Sequence, residues 1–253
     1  MLRTRVIPVL LLQESGLVKG QQFKNHKYVG DPINAVKIFN EKEVDELVFL
    51  DVSATDENRE PDFELIADIA SEAFMPFAYG GGVKTVEQVE RLFSIGVEKA
   101  IINSAAFYNP DLVKDAAKVS GSQSVVVSID VKKSLFGSYE VYVNNGRAKT
   151  KLDPVIYAKQ MQDYGVGELI VSSIDREGTG KGYDINLLEM VANAVDVPVV
   201  GLGGAGCVQD LADAKNKTAV SGLAAGDLFV FHGKHKAVLI TYPKYSELEK
   251  LFN

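Results

Sequence analysis

The chain has 253 residues and a formal net charge of −7 at pH 7, and its Lys and Arg residues are spread along its length rather than gathered into a basic stripe. This distribution argues against a nucleic-acid partner. The single cysteine, Cys207, excludes a disulfide framework within the chain, and no apolar run approaches the length of a membrane span. We therefore expect a cytoplasmic protein without a membrane partner, long enough for one large barrel or two small domains.

Short apolar runs rich in β-branched residues recur eight times, and each ends in small or polar residues. Continuous apolar strands of this kind are typical of a parallel sheet whose outer face is covered. The eight predicted strands are residues 5–12, 46–51, 76–82, 99–104, 124–130, 168–175, 198–204 and 219–226.

Helix signals fill most of the gaps between these runs. Residues 31–44 and 153–165 each open with Asp-Pro, a capping residue followed by a favoured first helical residue. Thr85 and Gln88 form the pattern of a capping box, and residues 184–195 carry an apolar stripe. The alternation of strands and helices predicts an α/β protein with a (β/α)8 TIM barrel, and an open doubly wound sheet is the alternative.

The two halves of the sequence repeat each other. "DELVFLD" is similar to "GELIVSS", and "PFAYGGG" is similar to "PVVGLGG". Glu46 and Glu168 are 122 residues apart, and so are Gly81 and Gly203. Two landmarks with one offset indicate a duplicated half-barrel. The predicted domain is a single barrel of residues 1–253, with half-barrels at approximately 1–122 and 123–253.

Glycine clusters follow the third and the seventh predicted strand, at residues 80–82 and 203–206. Glycine lets backbone N–H groups approach an anion closely, and loops late in this fold commonly bind phosphate. Two such clusters predict a substrate with a phosphate at each end. Tight turns without a ligand are the alternative.

Carboxylates stand at or just after the ends of three predicted strands: Asp51, Asp130, and Asp175 with Glu177. Acids at the C-terminal ends of barrel strands are where this fold places general acid–base groups. Asp130 is conspicuous because it ends an otherwise apolar run. Its alternative role is a solvated strand end paired with Lys132.

Four charged residues stand at the opposite ends of the strands. Arg5, Glu46, Lys99 and Glu168 each begin a predicted strand, so they are expected to form a ring of ion pairs at the bottom of the barrel. We call these four residues the basal ring. Taken alone, the ring would be a stabilising plug.

Several stretches together resemble the cyclase subunit of imidazole glycerol phosphate synthase, the HisF family, over nearly the whole chain. They are "RVIP", "LVKG", "GDPINAVKIF", "DELVFLD", "GGGV", "INSAA", "GSQSVVVSID", "ELIVSSIDREGTGKGYD" and "GGAG". The resemblance implies a barrel that receives ammonia from a glutaminase partner (HisH) docked beneath it, at its N-terminal face. Ammonia would pass through the barrel interior and react at the top with a phosphorylated small molecule.

The same resemblance assigns residues to roles. The basal ring would be the entrance gate for ammonia, and Asp130 would be the family's second catalytic aspartate. Lys19, Asp51, Asp175 and Glu177 would lie in the substrate site. The phosphate sites would fall on Gly82, Asn103, Ser104, Gly203, Gly204, Ala225 and Gly226.

The sequence departs from the family's pattern at two places. The family's first catalytic aspartate falls on Leu11, and leucine cannot transfer a proton. After the eighth strand the family usually has a serine, whereas this chain has Gly226 and Asp227, and an acid there would repel a phosphate. The combination resembles divergent HisF-like paralogues (WbuZ-like) of surface-polysaccharide (O-antigen, lipopolysaccharide) synthesis. That resemblance implies that ammonia serves a separate sugar amidotransferase and that the cyclase-type lyase activity is lost.

Other functions remain open at this point. A genuine cyclase of histidine biosynthesis could use Asp130 alone or recruit Glu14. A non-catalytic activator of the glutaminase is also compatible with the sequence. A related single-chain sugar isomerase would need no ammonia, and the basal ring argues against it. The three histidines are not grouped with other metal ligands, so we predict no metal and no cofactor.

Overall fold

The computed structural model describes residues 4–134, 136–233 and 235–252. Eight parallel strands form its centre, and the last of them pairs with the first, so the sheet closes into a barrel. Helices lie between the strands. The predicted (β/α)8 TIM barrel is confirmed, and the open sheet is excluded because a doubly wound sheet leaves two unpaired edges.

The elements follow in chain order. They are β1 (Arg5–Gln13), β2 (Gly16–Gln21), β3 (Lys24–Gly30), α1 (Pro32–Glu41), β4 (Leu47–Asp51), α2 (Phe63–Glu72), β5 (Phe77–Gly80), α3 (Val86–Ser94), β6 (Lys99–Ile102), α4 (Ser104–Tyr108), α5 (Asp111–Ser120), β7 (Val125–Lys133), β8 (Tyr139–Val143), β9 (Ala148–Lys149), α6 (Pro154–Asp163), β10 (Glu168–Ser173), α7 (Ile185–Ala192), β11 (Val199–Leu202), α8 (Val208–Lys217), β12 (Gly222–Ala225), α9 (Asp227–Val230), β13 (Phe231–His232), β14 (Ala237–Val238) and α10 (Tyr245–Phe252). The barrel strands are β1, β4, β5, β6, β7, β10, β11 and β12.

Local sequence signals explain where the helices begin. Asp31 and Asp153 cap α1 and α6 with their side chains and are followed by proline. Thr85 and Gln88 form the predicted capping box at the start of α3. The side-chain oxygens satisfy backbone N–H groups that have no partner within the helix. The helix starts were therefore readable from the sequence.

Two antiparallel hairpins are inserted after the first and fifth barrel strands. β2 and β3 follow β1, and β8 and β9 follow β7. The sequence analysis missed them. One hairpin follows the first barrel strand of the first half, and the other follows the first barrel strand of the second half. The offset of 122 residues likewise relates equivalent strands of the two halves. This arrangement agrees with the duplication, while the division at about residue 122 stays a prediction.

The barrel strands separate two apolar cores. Along β4, for example, Val48 and Leu50 point into the barrel, whereas Leu47 and Phe49 point outward against the helices. The inward-facing side chains form a core of their own. Both faces of the strands are thus buried, which is why the runs are continuously apolar. Within the described ranges, none of the helices is long and apolar enough to cross a membrane.

Candidate functional site

A cavity of about 470 Å³ opens at the C-terminal ends of the barrel strands. Its floor is made by apolar side chains of the barrel interior, and its wall carries acids and amides from the strand ends. Asp51, Asp130, Asn103 and Glu177, four of the predicted site residues, line this one cavity. The top of the barrel is therefore the candidate site.

Asp130 is the best-placed acid–base group of the cavity. It is buried, and its carboxylate accepts a hydrogen bond of 3.1 Å from the Nδ2 atom of Asn103. The same Nδ2 atom donates to the backbone oxygen of Ser128 at 2.9 Å, so the amide is fixed in orientation. Burial raises the pKa of Asp130 to about 7, with a smaller contribution from the negative charge of Glu177 and against the effect of the Asn103 hydrogen bond. A group with this pKa exchanges protons at neutral pH.

Leu11 faces the same cavity from β1. It is half-buried and packs on the inner core together with Leu50, its neighbour across the β1–β4 pair. Val9, Ile101 and Leu202 complete the apolar floor. Leu11, where the resemblance places the family's first catalytic aspartate, is thus part of an apolar surface.

Asp51 is held in an internal ion pair. Its carboxylate accepts hydrogen bonds from Nη2 of Arg59 at 2.7 and 3.0 Å and from the backbone N–H groups of Ser53 and Ala54. Burial alone would lower the pKa of Arg59, but the hydrogen bonds that it donates to Glu57 and Asp51 raise it. Asp51 therefore organises the loop after β4 more than it offers a free carboxylate.

The predicted first phosphate site is only partly open. Asn103 lines the cavity, but Ser104 accepts a hydrogen bond from the backbone N–H of Asn144 at 2.8 Å and donates to Asn103. Gly82 packs on the backbone oxygen of Arg59, where a Cβ would approach it to 2.8 Å. Of the glycine cluster, residues 80 and 81 line the cavity.

Lys19 is the centre of a second charged group, beside the cavity. Its Nζ lies 2.9 Å from Oε1 of Glu177 and 3.4 Å from Oδ1 of Asp227. Oδ2 of Asp227 accepts a hydrogen bond of 2.9 Å from Nζ of Lys236. Burial alone would lower the pKa of Lys19, but the two carboxylates outweigh it and raise the pKa. We call these four residues the lysine cluster.

The predicted second phosphate site is closed off from the cavity. Gly203, Gly204, Ala225 and Gly226 are not among the residues that line the cavity in the described structure. A Cβ on Gly204 would approach the backbone oxygen of Gly182 to 2.2 Å, so the glycine loop packs on protein. Asp175 also faces protein, where its carboxylate accepts a hydrogen bond of 2.8 Å from the backbone N–H of Lys133.

The basal ring forms as predicted at the opposite end of the barrel. Arg5 lies 2.5 Å from both Glu46 and Glu168. Lys99 also contacts both, at 2.9 and 3.2 Å. Burial alone would lower the pKa of Arg5, but the two carboxylates raise it. Because each cation touches both anions, the four side chains close the bottom of the barrel.

Apolar side chains fill the barrel interior between the basal ring and the cavity, and we call this apolar interior the bore. It consists of the inner core: Ile7, Val9, Val48, Ala78, Ile101, Val126, Ile170, Val200, Leu202 and Ala224. Near its upper end stands Ser172, whose buried Oγ has no hydrogen-bond partner in the described structure. The bore is therefore a packed apolar region with one polar group close to the cavity.

Several cavity residues were missed by the sequence analysis. His26 lines the wall, and burial together with the charge of Lys19 lowers its pKa, so the imidazole is neutral at neutral pH. Arg147 reaches the mouth from the turn after β8 and pairs with Asp56. Both belong to the inserted hairpins. The Asn-Asn-Gly turn before Arg147 was the signal for the second one.

The described part of the chain contains no group of three or more His, Cys, Asp or Glu side chains placed to hold a metal ion. The acids that line the cavity have other partners: Asp51 is bound to Arg59, Asp130 to Asn103, and Glu177 to Lys19. What the cavity offers is proton transfer, hydrogen bonding and an apolar floor.

Sequence comparisons agree with this geometry. Residues 5–236 match the family model described as histidine biosynthesis protein. A Pseudomonas aeruginosa protein with the provisional name imidazole glycerol phosphate synthase subunit hisF2 is 53% identical over 98% of this chain and 99% of its own length. A Leptospira interrogans protein, provisionally named subunit HisF, is 48% identical over the full length of both chains.

A Petrotoga mobilis protein named imidazole glycerol phosphate synthase subunit HisF is 44% identical over 92% of this chain and 91% of its own length. These relatives match nearly the whole barrel, including the loops that build its top. The chain belongs to the HisF family of imidazole glycerol phosphate synthase subunits, as a divergent member.

Proposed function

We propose that this chain is the ammonia-conducting subunit of a two-protein synthase and that its ammonia is used to amidate a sugar in surface-polysaccharide synthesis. A HisH-like glutaminase would dock at the N-terminal face and release ammonia beneath the basal ring. A separate sugar amidotransferase would receive the ammonia at the top. One observation carries the proposal: the basal ring and the apolar bore are both present, while Leu11, where the resemblance places the family's first catalytic aspartate, is apolar.

The geometry suggests how ammonia would enter. The basal ring is closed, so one ion pair must part before a molecule passes. Lys99 lies 3.2 Å from Glu168, the longest contact of the ring, whereas Arg5 holds both carboxylates at 2.5 Å. We therefore expect Lys99 to swing away while Arg5 stays bound to both carboxylates. The bore above favours neutral ammonia over ammonium, because an unpaired ion is costly to bury.

Loss of the cyclase reaction follows from the floor of the cavity. Removing one member of an acid–base pair costs on the order of 10²–10⁴-fold in rate. Asp130 remains and has a pKa of about 7, but the wall opposite it on β1 is apolar. Among the relatives reported above, the chain is also more similar to the hisF2 protein than to the Petrotoga HisF.

A genuine cyclase of histidine biosynthesis is the second candidate. It is favoured by Asp130, which keeps both the hydrogen bond to Asn103 and a pKa suited to acid–base catalysis. Glu14 stands three residues after Leu11 and is exposed. The apolar floor argues against this candidate, and an assay separates the two.

The test is a cyclase assay with free ammonium salt, which removes the need for a glutaminase. Because Asp227 would repel one phosphate of the bisphosphate substrate of the histidine pathway, that substrate is given to the wild type and to Leu11→Asp combined with Asp227→Ser. We expect no detectable turnover by the wild type and turnover at least about 10²-fold above the detection limit for the double variant. Leu50→Asp combined with Asp227→Ser is the matched control, because Leu50 is the cross-strand neighbour of Leu11 in the same cavity. Wild-type turnover at the rate of an ordinary cyclase would overturn the proposal.

The positive test uses the pair of proteins. The chain is mixed with its glutaminase partner, amide-labelled glutamine and the candidate amidotransferase with its sugar acceptor. Label in the sugar that appears with the wild type and is lost with Ala224→Leu, which adds bulk inside the bore, would support delivery through the bore. Label that reaches the sugar equally well without this chain would contradict it.

A further inference from the structure

The end of the cavity beside the eighth strand differs from a usual anion site of this fold. Barrels of this class commonly bind phosphate between the loop after the seventh strand and a short helix after the eighth. Here β12 is followed at once by α9, whose first residue is Asp227. A carboxylate of the protein itself therefore stands where a phosphate would be expected.

The cations of this region are already used. Lys19 is 3% exposed, and its Nζ is directed at Glu177 and Asp227. It also lies against Gly226, since a Cβ on that glycine would approach Nζ to 2.2 Å. Lys236 holds the other oxygen of Asp227. Two cations and two carboxylates leave no net positive charge for a ligand.

The geometry of Asp227 indicates that it stands in for an external anion. Its side chain is 11% exposed, and Oδ1 is buried without a hydrogen bond, facing Lys19 at 3.4 Å. An acid buried against two lysines is compensated only as long as both remain in place. An added phosphate would meet two carboxylates at close range, and repulsion in a poorly solvated site is strong.

We propose that Asp227 is a specificity-determining residue that closes this end of the cavity to anions, so that ligands of the cavity carry an anionic group at one end only or none. This inference rests on the proposed function, because it assumes that the cavity at the top of the barrel is where a ligand binds. It narrows the substrate class to neutral or singly phosphorylated molecules and excludes bisphosphates that span the barrel.

The test measures the number of phosphate ions bound, with inorganic phosphate as the probe and calorimetry as the method. Asp227→Ser and Asp227→Asn are compared with the wild type. We expect each variant to bind one phosphate more than the wild type, because Lys19 and Lys236 lose Asp227 as a partner and only Glu177 remains to balance them. Lys236→Met in the Asp227→Asn background should weaken this gained site at least tenfold.

Asp115→Ser is the control for net charge, since Asp115 is an exposed acid paired with Lys118 on α5. It should bind as many phosphate ions as the wild type. Asp227→Asn keeps the shape of the side chain, so it provides the result if Asp227→Ser does not fold. A wild type that binds two phosphates, or Asp227 variants that gain none, would overturn the inference. Phosphate binding needs no ammonia, so this result is independent of the test of the proposed function.

Discussion

The two ends of the barrel carry the same set of charges in different places. The basal ring has two cations and two carboxylates, and so has the lysine cluster. In the ring both cations contact both carboxylates across the axis of the bore. In the cluster only Lys19 contacts both carboxylates, and the group lies beside the cavity. One set therefore closes the bottom of the barrel, while the other lies beside the cavity and leaves it open.

The basal ring and the lysine cluster thus contain the same kinds of charge but differ in how easily their ion pairs can separate. Arg5 and Lys99 remain partly exposed, so their ion pairs can open toward water. Lys19 is fully enclosed, so separating it from its carboxylates would leave an uncompensated buried charge. The ion pairs of the basal ring are therefore suited to opening, whereas those of the lysine cluster are suited to staying closed.

The largest effect should come from breaking the lysine cluster at its centre. Lys19→Met leaves Glu177 and Asp227 buried without their shared cation, and we expect a loss of about 3–5 kcal/mol in the free energy of unfolding. Urea denaturation measures it. Lys118→Met removes an exposed lysine from an ion pair with Asp115 and should have no measurable effect. Equal stability of Lys19→Met and wild type would show that the cluster is not a permanent internal network.

The next prediction concerns the protonation of Asp130, which lies in the cavity between the two charged groups, and its effect on stability. The pKa is raised from 3.8 to about 7, so between these values the folded state binds a proton that the unfolded state has released. The wild type should therefore lose about 3 kcal/mol of stability between about pH 5 and about pH 8. Asp130→Asn should lack this loss.

The measurement is urea unfolding of both proteins at the two pH values. Other titrating groups contribute equally to both proteins, so the difference between the two profiles isolates Asp130. Parallel profiles would mean that Asp130 is ionised throughout this range.

The basal ring should tolerate the loss of one cation better than the cluster does. In Lys99→Met, Arg5 still contacts both carboxylates, and water reaches the ring, so we expect a loss of about 2 kcal/mol. The unfolding free energies of Lys99→Met and Lys19→Met, measured side by side, test the comparison directly. A greater loss for Lys99→Met would reverse the assignment of the movable and the permanent group.

The smallest effect is expected at the rim of the cavity. Arg147 pairs with Asp56, but its side chain is 67% exposed, so Arg147→Ala should cost less than about 1 kcal/mol. If the open end of the cavity binds an anion, Arg147→Ala should also bind phosphate more weakly than the wild type does. Phosphate titration of this variant with Lys118→Met as control decides whether the rim or an internal group binds the anion.

The sequence predicted the barrel because its signals are local. The apolar runs, the Asp-Pro caps and the Thr85 capping box each act within a few residues. The offset of 122 residues showed in addition which strands of the two halves are equivalent. The basal ring was predictable because each of its four residues begins a predicted strand. The pairing of Asp51 with Arg59 and the position of Lys236 depend on loops, whose paths are decided by packing rather than by local preference.

The site was predicted unevenly for the same reason. Asp130 ends the predicted strand and lies three residues before the end of β7, Asn103 directly follows β6, and the closed barrel brings the two together. Gly203 and Gly204 follow a strand too, but the loop with Gly182 covers them. His26 lies on an inserted hairpin that no periodic pattern announced. Strand ends were thus readable, whereas the loops above them were not.

The basal ring also has a consequence for the order of folding. Arg5, Glu46 and Lys99 come from the first half of the chain, whereas Glu168 comes from the second, 163 residues after Arg5. The first half alone holds two cations and one acid, so its lower rim carries an uncompensated positive charge. Contacts this distant in sequence form late, because the chain must first be brought together. During synthesis the basal ring is therefore completed only when the second half docks, and a half-made barrel is not closed at its bottom.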